Sequence, residues 1–360
     1  MSCARSRLAK DDVALPEGLT MNDWRDYELT IGMPHMVPNR LSEVELLKCL
    51  GAFQWASIAT KLGRQSRAIV NVQDERLYAS FVNVELSFPR QRSLDSFEEG
   101  ASVGLRNRVT SFARRFVEGL FVFDTAPLPA GITDAIATRD DLARSGRPWA
   151  YMTNAFVARA GSNSKLKVFE PAGMDAAGFP SLLAMPSGIA EHQTVQGKGL
   201  GALPEGGLHG TLVRGTGAPL GYRILPESDL NGAGLLYFAR YVAIANYGVR
   251  RFMAEQLARP VSNPLLECLC TEHLRIYYFV NADAFDSVRI FVRAGVEAAP
   301  TARFSFHVDL YRESDGVLMA SCLLEKALNV PGGERGLVYE AERLLAQLEA
   351  EANPSGGGAG

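Results

Sequence analysis

The sequence is poor in several things at once. Cysteine occurs only five times in 360 residues, an odd number scattered from Cys3 to Cys322. That is no disulfide framework, and it makes a reducing, cytoplasmic compartment the expectation. No excess of basic charge exists either: 37 Lys+Arg against 40 Asp+Glu leave a net charge of −3. The electrostatic footprint of a nucleic-acid-binding protein is therefore missing. No run of about 18 uncharged apolar residues is present, so no membrane helix is expected. MSCARSRLAK at the start lacks the apolar stretch of a signal peptide. The five histidines have no metal-ligand spacing, and Cys268-Leu-Cys270 has no matching second pair. Neither a metal nor a cofactor is expected.

What the chain has instead is apolar content, 47%, in a length that fits one large domain or two ordinary ones. Residues 1–27 read as a polar arm. The stretch 41–63 is a strongly apolar helix, opened by Ser42 and Glu45 at capping-box spacing. Apolar residues occupy much of both its faces, so it needs walls on most sides. Strand-like segments follow at 77–88, 101–124 and 154–171, with an excursion over 125–150 that holds a short helix or turn. Residues 172–218 are rich in Gly and Pro and read as a connection. The pattern then starts again: an apolar helix over 229–253, strands at 274–282, 287–295, 303–312 and 317–328, a short amphipathic helix over 334–352 and a Gly-rich tail.

A buried helix followed by antiparallel strands, twice over, is the pattern of an α+β double hot dog, two sheets each wrapping a long apolar helix. The plainer competitor is a four-layer α+β protein. The segments that follow from this reading are 1–27 arm, 28–171 first hot dog, 172–218 connection, 219–330 second hot dog, and 331–360 helix and tail.

Three segments, GMPHM (32–36), FQWASIATKLG (53–63) and RLYASFVN (76–83), resemble the leinamycin-type acyltransferase/decarboxylase family. SDLNGAGLLYFARY (228–241) resembles the helix start of hot-dog proteins more widely. The first resemblance implies a polyketide-pathway enzyme that takes methylmalonyl-CoA, or a related acyl-CoA, and passes the acyl group to a phosphopantetheinylated acyl carrier protein with loss of CO₂. It also implies that Tyr78 is the acyl-accepting tyrosine. The chain departs from the family pattern around His35 and beyond Phe81.

The residues themselves offer candidates, each with a plainer alternative. Tyr78 would hold or accept an acyl group, or simply be an amphipathic strand aromatic. His35, in a loop before the first helix, would relay a proton, or be incidental. Asn154, Ser162 and Asn163 would bind a thioester oxygen, although GSNS is also ordinary turn composition. Asp229, with Asn231, Gly232 and Gly234, would place a carboxylate and N–H groups at a helix start, or be only a cap. Arg106, Arg108, Arg114 and Arg115 read as a solvated basic patch. Two rival functions stand beside the transferase: a hot-dog thioesterase working through Asp229, and a non-catalytic double hot dog that binds acyl carrier protein. A monomer or homodimer fits either.

Overall fold

The arm expected over residues 1–27 ends in a strand, β1 (Arg25–Thr30), which pairs antiparallel with a strand of the first half. The computed structural model describes residues 24–89, 92–160, 162–174, 178–204, 206–208, 211–255, 261–297, 303–331 and 333–352. The arm before Trp24 and the Gly-rich tail lie outside them. The chain divides into two units, Met1–Ala190 and Glu191–Gly360.

In the first unit a two-residue ladder, β2 (Met36–Val37) with β3 (Arg40–Leu41), leads into α1 (Glu43–Lys61). Ser42 caps α1 by accepting from the Glu45 N–H, which is half of the expected capping box. The Glu45 carboxylate instead accepts from Lys48 at 2.7 Å, one turn along the helix. Then come β4 (Tyr78–Ser87), β5 (Ser102–Phe112), β6 (Phe116–Asp124), the short α2 (Arg139–Arg144), β7 (Trp149–Ala160) and β8 (Ser162–Val168). The segment expected as one strand over 101–124 is thus a hairpin. Ala113 and Arg114 both take positive φ, 48° and 58°, between its arms, the local twist that closes tight hairpins. All pairings are antiparallel, in the order β1–β5–β6–β7–β4, with β8 on β7.

The face of this sheet that carries Val109, Val117 and Phe156 packs on α1 through Ile58, Ala59 and Leu62. The helix is not walled on every side: Ala52, Ala56 and Thr60, spaced four apart, are exposed, and small side chains leave little apolar area there. At its centre Gln54 is buried and presses on Gly119, where a Cβ would fall 2.0 Å from the Gln54 Oε1. The unit closes with the first turn of α3 (Ser187–Lys198).

The second unit repeats the plan. It comprises β9 (Thr211–Gly215), β10 (Leu220–Arg223), α4 (Pro226–Asp229), α5 (Phe238–Glu255), α6 (Asn263–Glu267), β11 (Leu269–Tyr278), β12 (Ser287–Glu297), β13 (Arg303–Arg312), β14 (Leu318–Leu328) and α7 (Arg335–Ala352). The sheet runs β11–β14–β13–β12, with β10 and β9 pairing successive parts of β12. Alternate residues of β12, Val288, Ile290 and Val292, are buried, and Gly248 of α5 lies so close that a Cβ would meet Ile290 Cγ2 at 2.5 Å. The helix expected from residue 229 starts nine residues later. The Asn231 Oδ1 accepts from the Ala233 and Leu235 N–H groups and Gly234 takes φ 71°, so side-chain bonds hold a turn where apolar periodicity pointed to helix. Each unit is thus an antiparallel sheet folded against a long, largely apolar helix: a double hot dog.

Candidate active site

Strand alternation sends every second residue of the first sheet to the face away from α1. Registry puts Thr110, Glu118, Thr153 and Asn83 on one rung of that face, one each from β5, β6, β7 and β4. The next rung holds Arg108, Leu120, Tyr151 and Glu85. An otherwise apolar sheet here carries a buried polar row.

Glu118 is 8% exposed. Its Oε1 accepts from the Tyr151 hydroxyl at 3.0 Å and its Oε2 from Thr110 at 3.5 Å. Burial raises the Glu118 pKa above the ordinary carboxylate value; the Tyr151 and Thr110 hydrogen bonds and the charge of Arg108 offset only part of that. Tyr151 is held upward by burial and by the Glu118 charge, so it stays a donor. Its oxygen accepts in turn from the Gly188 N–H at 3.2 Å, at the start of α3. Arg139 stacks over the Tyr151 ring, 5.7 Å from its centroid, and pairs with Glu85 at 2.5 Å. Arg108 reaches the Ala137 carbonyl at 2.6 Å.

Asn83 departs from this pairing, as does the Thr153 hydroxyl beside it. Asn83 is fully buried, and neither its Oδ1 nor its Nδ2 has a partner among the described residues. An orphaned buried amide costs about 1–3 kcal/mol; such a cost persists where function or an absent ligand accounts for it. Gly188 is tailored to it, because a Cβ there would sit 2.0 Å from the Asn83 Oδ1. Asn83 and Glu118 are two strands apart, ~10 Å at the backbone, with Thr153 of β7 on the rung between them and Gly188 packed against Asn83 and Thr153.

Tyr78 lies on the same face of β4, opposite Val157. It is half-buried, as is Ser80, whereas the Asn83 end is closed. The Arg76 guanidinium sits over the Tyr78 ring, 5.0 Å from its centroid. The Tyr78 and Asn83 rungs lie four residue steps apart along β7, at Val157 and Thr153, ~13 Å, so the two are parts of one face without touching.

The other residues expected to act take different places. His35 lies in a turn of 3₁₀ helix, where its Nδ1 accepts from the Gly32 N–H at 2.9 Å. Asn154 faces α1: Gln54 donates to its Oδ1 at 3.1 Å, and Asn107 donates to Gln54 at 3.3 Å. That amide trio holds the helix to the sheet. Asp229 is fully buried and accepts from the Tyr222 hydroxyl, the Leu225 N–H and Arg240, at 2.9, 2.8 and 2.8 Å. Its carboxylate anchors the turn before α5, bonded to the Leu225 N–H at the start of the short α4 rather than to the start of α5. Asn231 and Gly234 shape the same turn, and Gly232 has open space around it. Ser162 and Asn163 belong to β8, and their side chains lie outside the described residues. The basic patch is largely paired: Arg106 with Asp26 at 3.0 Å and Arg114 with Glu170 at 3.2 Å.

Glu118 and Asn83 escaped the sequence reading, although a signal was there. FVEGLFVFD and FVNVELSF each set a polar residue in a strand otherwise apolar enough to be buried. Among the described residues no group of three or more His, Cys, Asp and Glu is placed to hold a metal ion, and no helix is long and apolar enough to cross a membrane.

No protein-family model matches the chain, and no curated protein matches it in sequence. Solved structures do match in fold. One is a Lactobacillus plantarum protein with a provisional oleoyl thioesterase assignment, TM-score 0.54 at 11% identity, covering 86% of this chain and 96% of that one. Another is the 12:0-ACP thioesterase of Umbellularia californica, TM-score 0.52 at 11% identity, covering 84% and 93%. At these identities the likeness establishes the double hot-dog fold.

Proposed function

We propose that the protein acts on acyl thioesters of CoA or acyl carrier protein, and that its reaction is hydrolysis at the buried polar row of the first unit. One observation carries this reading: a carboxyl with a raised pKa, Glu118, shares a rung with an unsatisfied buried amide, Asn83. Hydrolysis needs a base for water and a donor for the carbonyl oxygen. Glu118 takes a proton from water as the hydroxyl adds to the thioester carbon. The Asn83 Nδ2 donates to the oxygen as it becomes negative. The C–S bond then breaks, and the thiol leaves with the proton from Glu118. The fold likeness to thioesterases is consistent with this assignment.

A thiol-release assay over acyl-CoA and acyl-carrier-protein chain lengths tests it. Glu118→Gln lowers turnover by about 10²–10⁴. No released thiol with any acyl-CoA or acyl carrier protein, or full activity in Glu118→Gln, overturns the proposal.

A second reading rests on Tyr78. Its half-exposed phenol at the open end of the same face, beneath Arg76, supports transfer of a malonyl-type acyl group to a carrier protein with loss of CO₂, as in the leinamycin-type family. Mass spectrometry of holo-carrier protein incubated with methylmalonyl-CoA separates the two. Propionyl-carrier protein that disappears in Tyr78→Phe establishes transfer, whereas free acid lost only in Glu118→Gln establishes hydrolysis.

A further inference from the structure

The second unit carries a charged cavity that the proposed reaction does not use. Its volume is about 500 Å³, and Thr216, Arg289, Phe291, Arg293, Asp309 and Tyr311 contribute side chains to it. The size is that of a small-molecule site. Arg289, Phe291 and Arg293 alternate along β12, so all three leave the sheet on the face opposite the buried Val288, Ile290 and Val292. Thr216 is clamped alongside them: its N–H donates to the Val292 carbonyl at 2.9 Å, and its hydroxyl accepts from the Val292 N–H at 3.2 Å.

The charges in this cavity do not cancel. Asp309 accepts from Ser321 at 2.6 Å and lies 3.9 Å from Arg293. Arg289 has no carboxylate partner among the described residues, and its Nε is buried with no acceptor. Gly316, at φ 68°, lies beside it: a Cβ there would meet the Arg289 Nη2 at ordinary contact distance, 3.6 Å. A guanidinium in this state suits an oxygen-rich anion, and two oxygens of a tetrahedral phosphate match its donor fork. Between the arginines, Phe291 and Tyr311 meet edge to face with centroids 5.5 Å apart. That pair offers an aromatic surface to a flat ring.

We infer that this cavity binds a nucleotide, with the phosphate on Arg289 and the base against Phe291 and Tyr311. The nucleotide end of a CoA thioester and a free nucleotide share this chemistry. The inference is independent of the reaction assigned to Glu118, because binding is measured without turnover.

Calorimetric titration of the full chain with 3′,5′-ADP, ADP and pyrophosphate tests it. At least one nucleotide binds at one site per chain. Arg289→Gln weakens that binding about tenfold or more, the loss of one charge-assisted contact, and Phe291→Ala weakens it several-fold. Arg289→Lys, which keeps the charge and the space, loses less than Arg289→Gln. Preference for 3′,5′-ADP identifies a CoA-type ligand; preference for ADP identifies a free nucleotide. The inference fails if neither nucleotide binds, if pyrophosphate binds as tightly as either, or if Arg289→Gln folds with the native melting temperature and binds unchanged.

Discussion

Single side chains decide what the first unit can do. Asn83 is a buried amide that the surrounding protein leaves unsatisfied, whereas Asn154, the asparagine singled out from sequence, is consumed in holding α1. The two differ only in which way their strand positions point. Replacing Asn83 by leucine of similar size removes the desolvated amide. It is expected to raise stability by about 1 kcal/mol in urea titrations, while cutting the proposed thioester hydrolysis by about 10²–10³ if Asn83 is the oxyanion donor proposed above. A variant that is both less stable and fully active would show that Asn83 is an ordinary core residue. Tyr78 was visible in the sequence through the resemblance it carries. Glu118 was not singled out: its apolar neighbours in FVEGLFVFD hinted at burial, but only the register shows that it is buried beside Tyr151.

At the scale of elements, two glycines set how closely helix and sheet approach. Gly119 gives way to the Gln54 amide, and Gly248 to Ile290. In an isolated helix Gly248→Ala would be favourable by about 1 kcal/mol. In this protein the added methyl meets Ile290 Cγ2 at 2.5 Å, an overpacked contact that costs about 1–3 kcal/mol. The expected outcome is a net fall in stability in denaturant titrations. A rise would mean that α5 can lift from β12 at little cost. The long apolar helices, the last helix, most of the strands and the excursion over 125–150 were legible from periodicity and composition, whereas α3 was not, because it lies in the stretch that its Gly and Pro content marked as a connection. The start of α5 was not, since the Asn231 turn that delays it depends on side-chain hydrogen bonds to the backbone.

For the whole molecule, pH acts through buried carboxyls of opposite behaviour. Asp124 is fully buried; burial alone would raise its pKa, but hydrogen bonds from Arg147 and Arg92 bring it below its ordinary value. Its contribution is complete above pH 3.8, the unfolded value, and is lost as pH falls through the lower folded value. Glu118 has the opposite sign. Its folded pKa lies above 4.5, so the native state binds more protons than the unfolded chain between those values, and stability declines as pH rises through that window. Glu118→Gln should therefore be more stable than the native chain near about pH 8, with the advantage shrinking toward about pH 5. Parallel stability curves for the two proteins would contradict the raised carboxyl. The same titration predicts that the acidic limb of hydrolysis lies above the usual glutamate range.

The sequence by itself determined the repeated order of an apolar helix and antiparallel strands, and hence the double hot dog, because hydrophobic periodicity is a local property of the chain. Tertiary structure alone decided which polar side chains share a face. Glu118, Thr153 and Asn83 come from three strands and become one row only through register. The cavity at Arg289 likewise gains Tyr311, one half of its aromatic pair, from β13 and its Thr216 clamp from the segment after β9. A one-residue slip in any of those pairings would turn the same side chains to the opposite face.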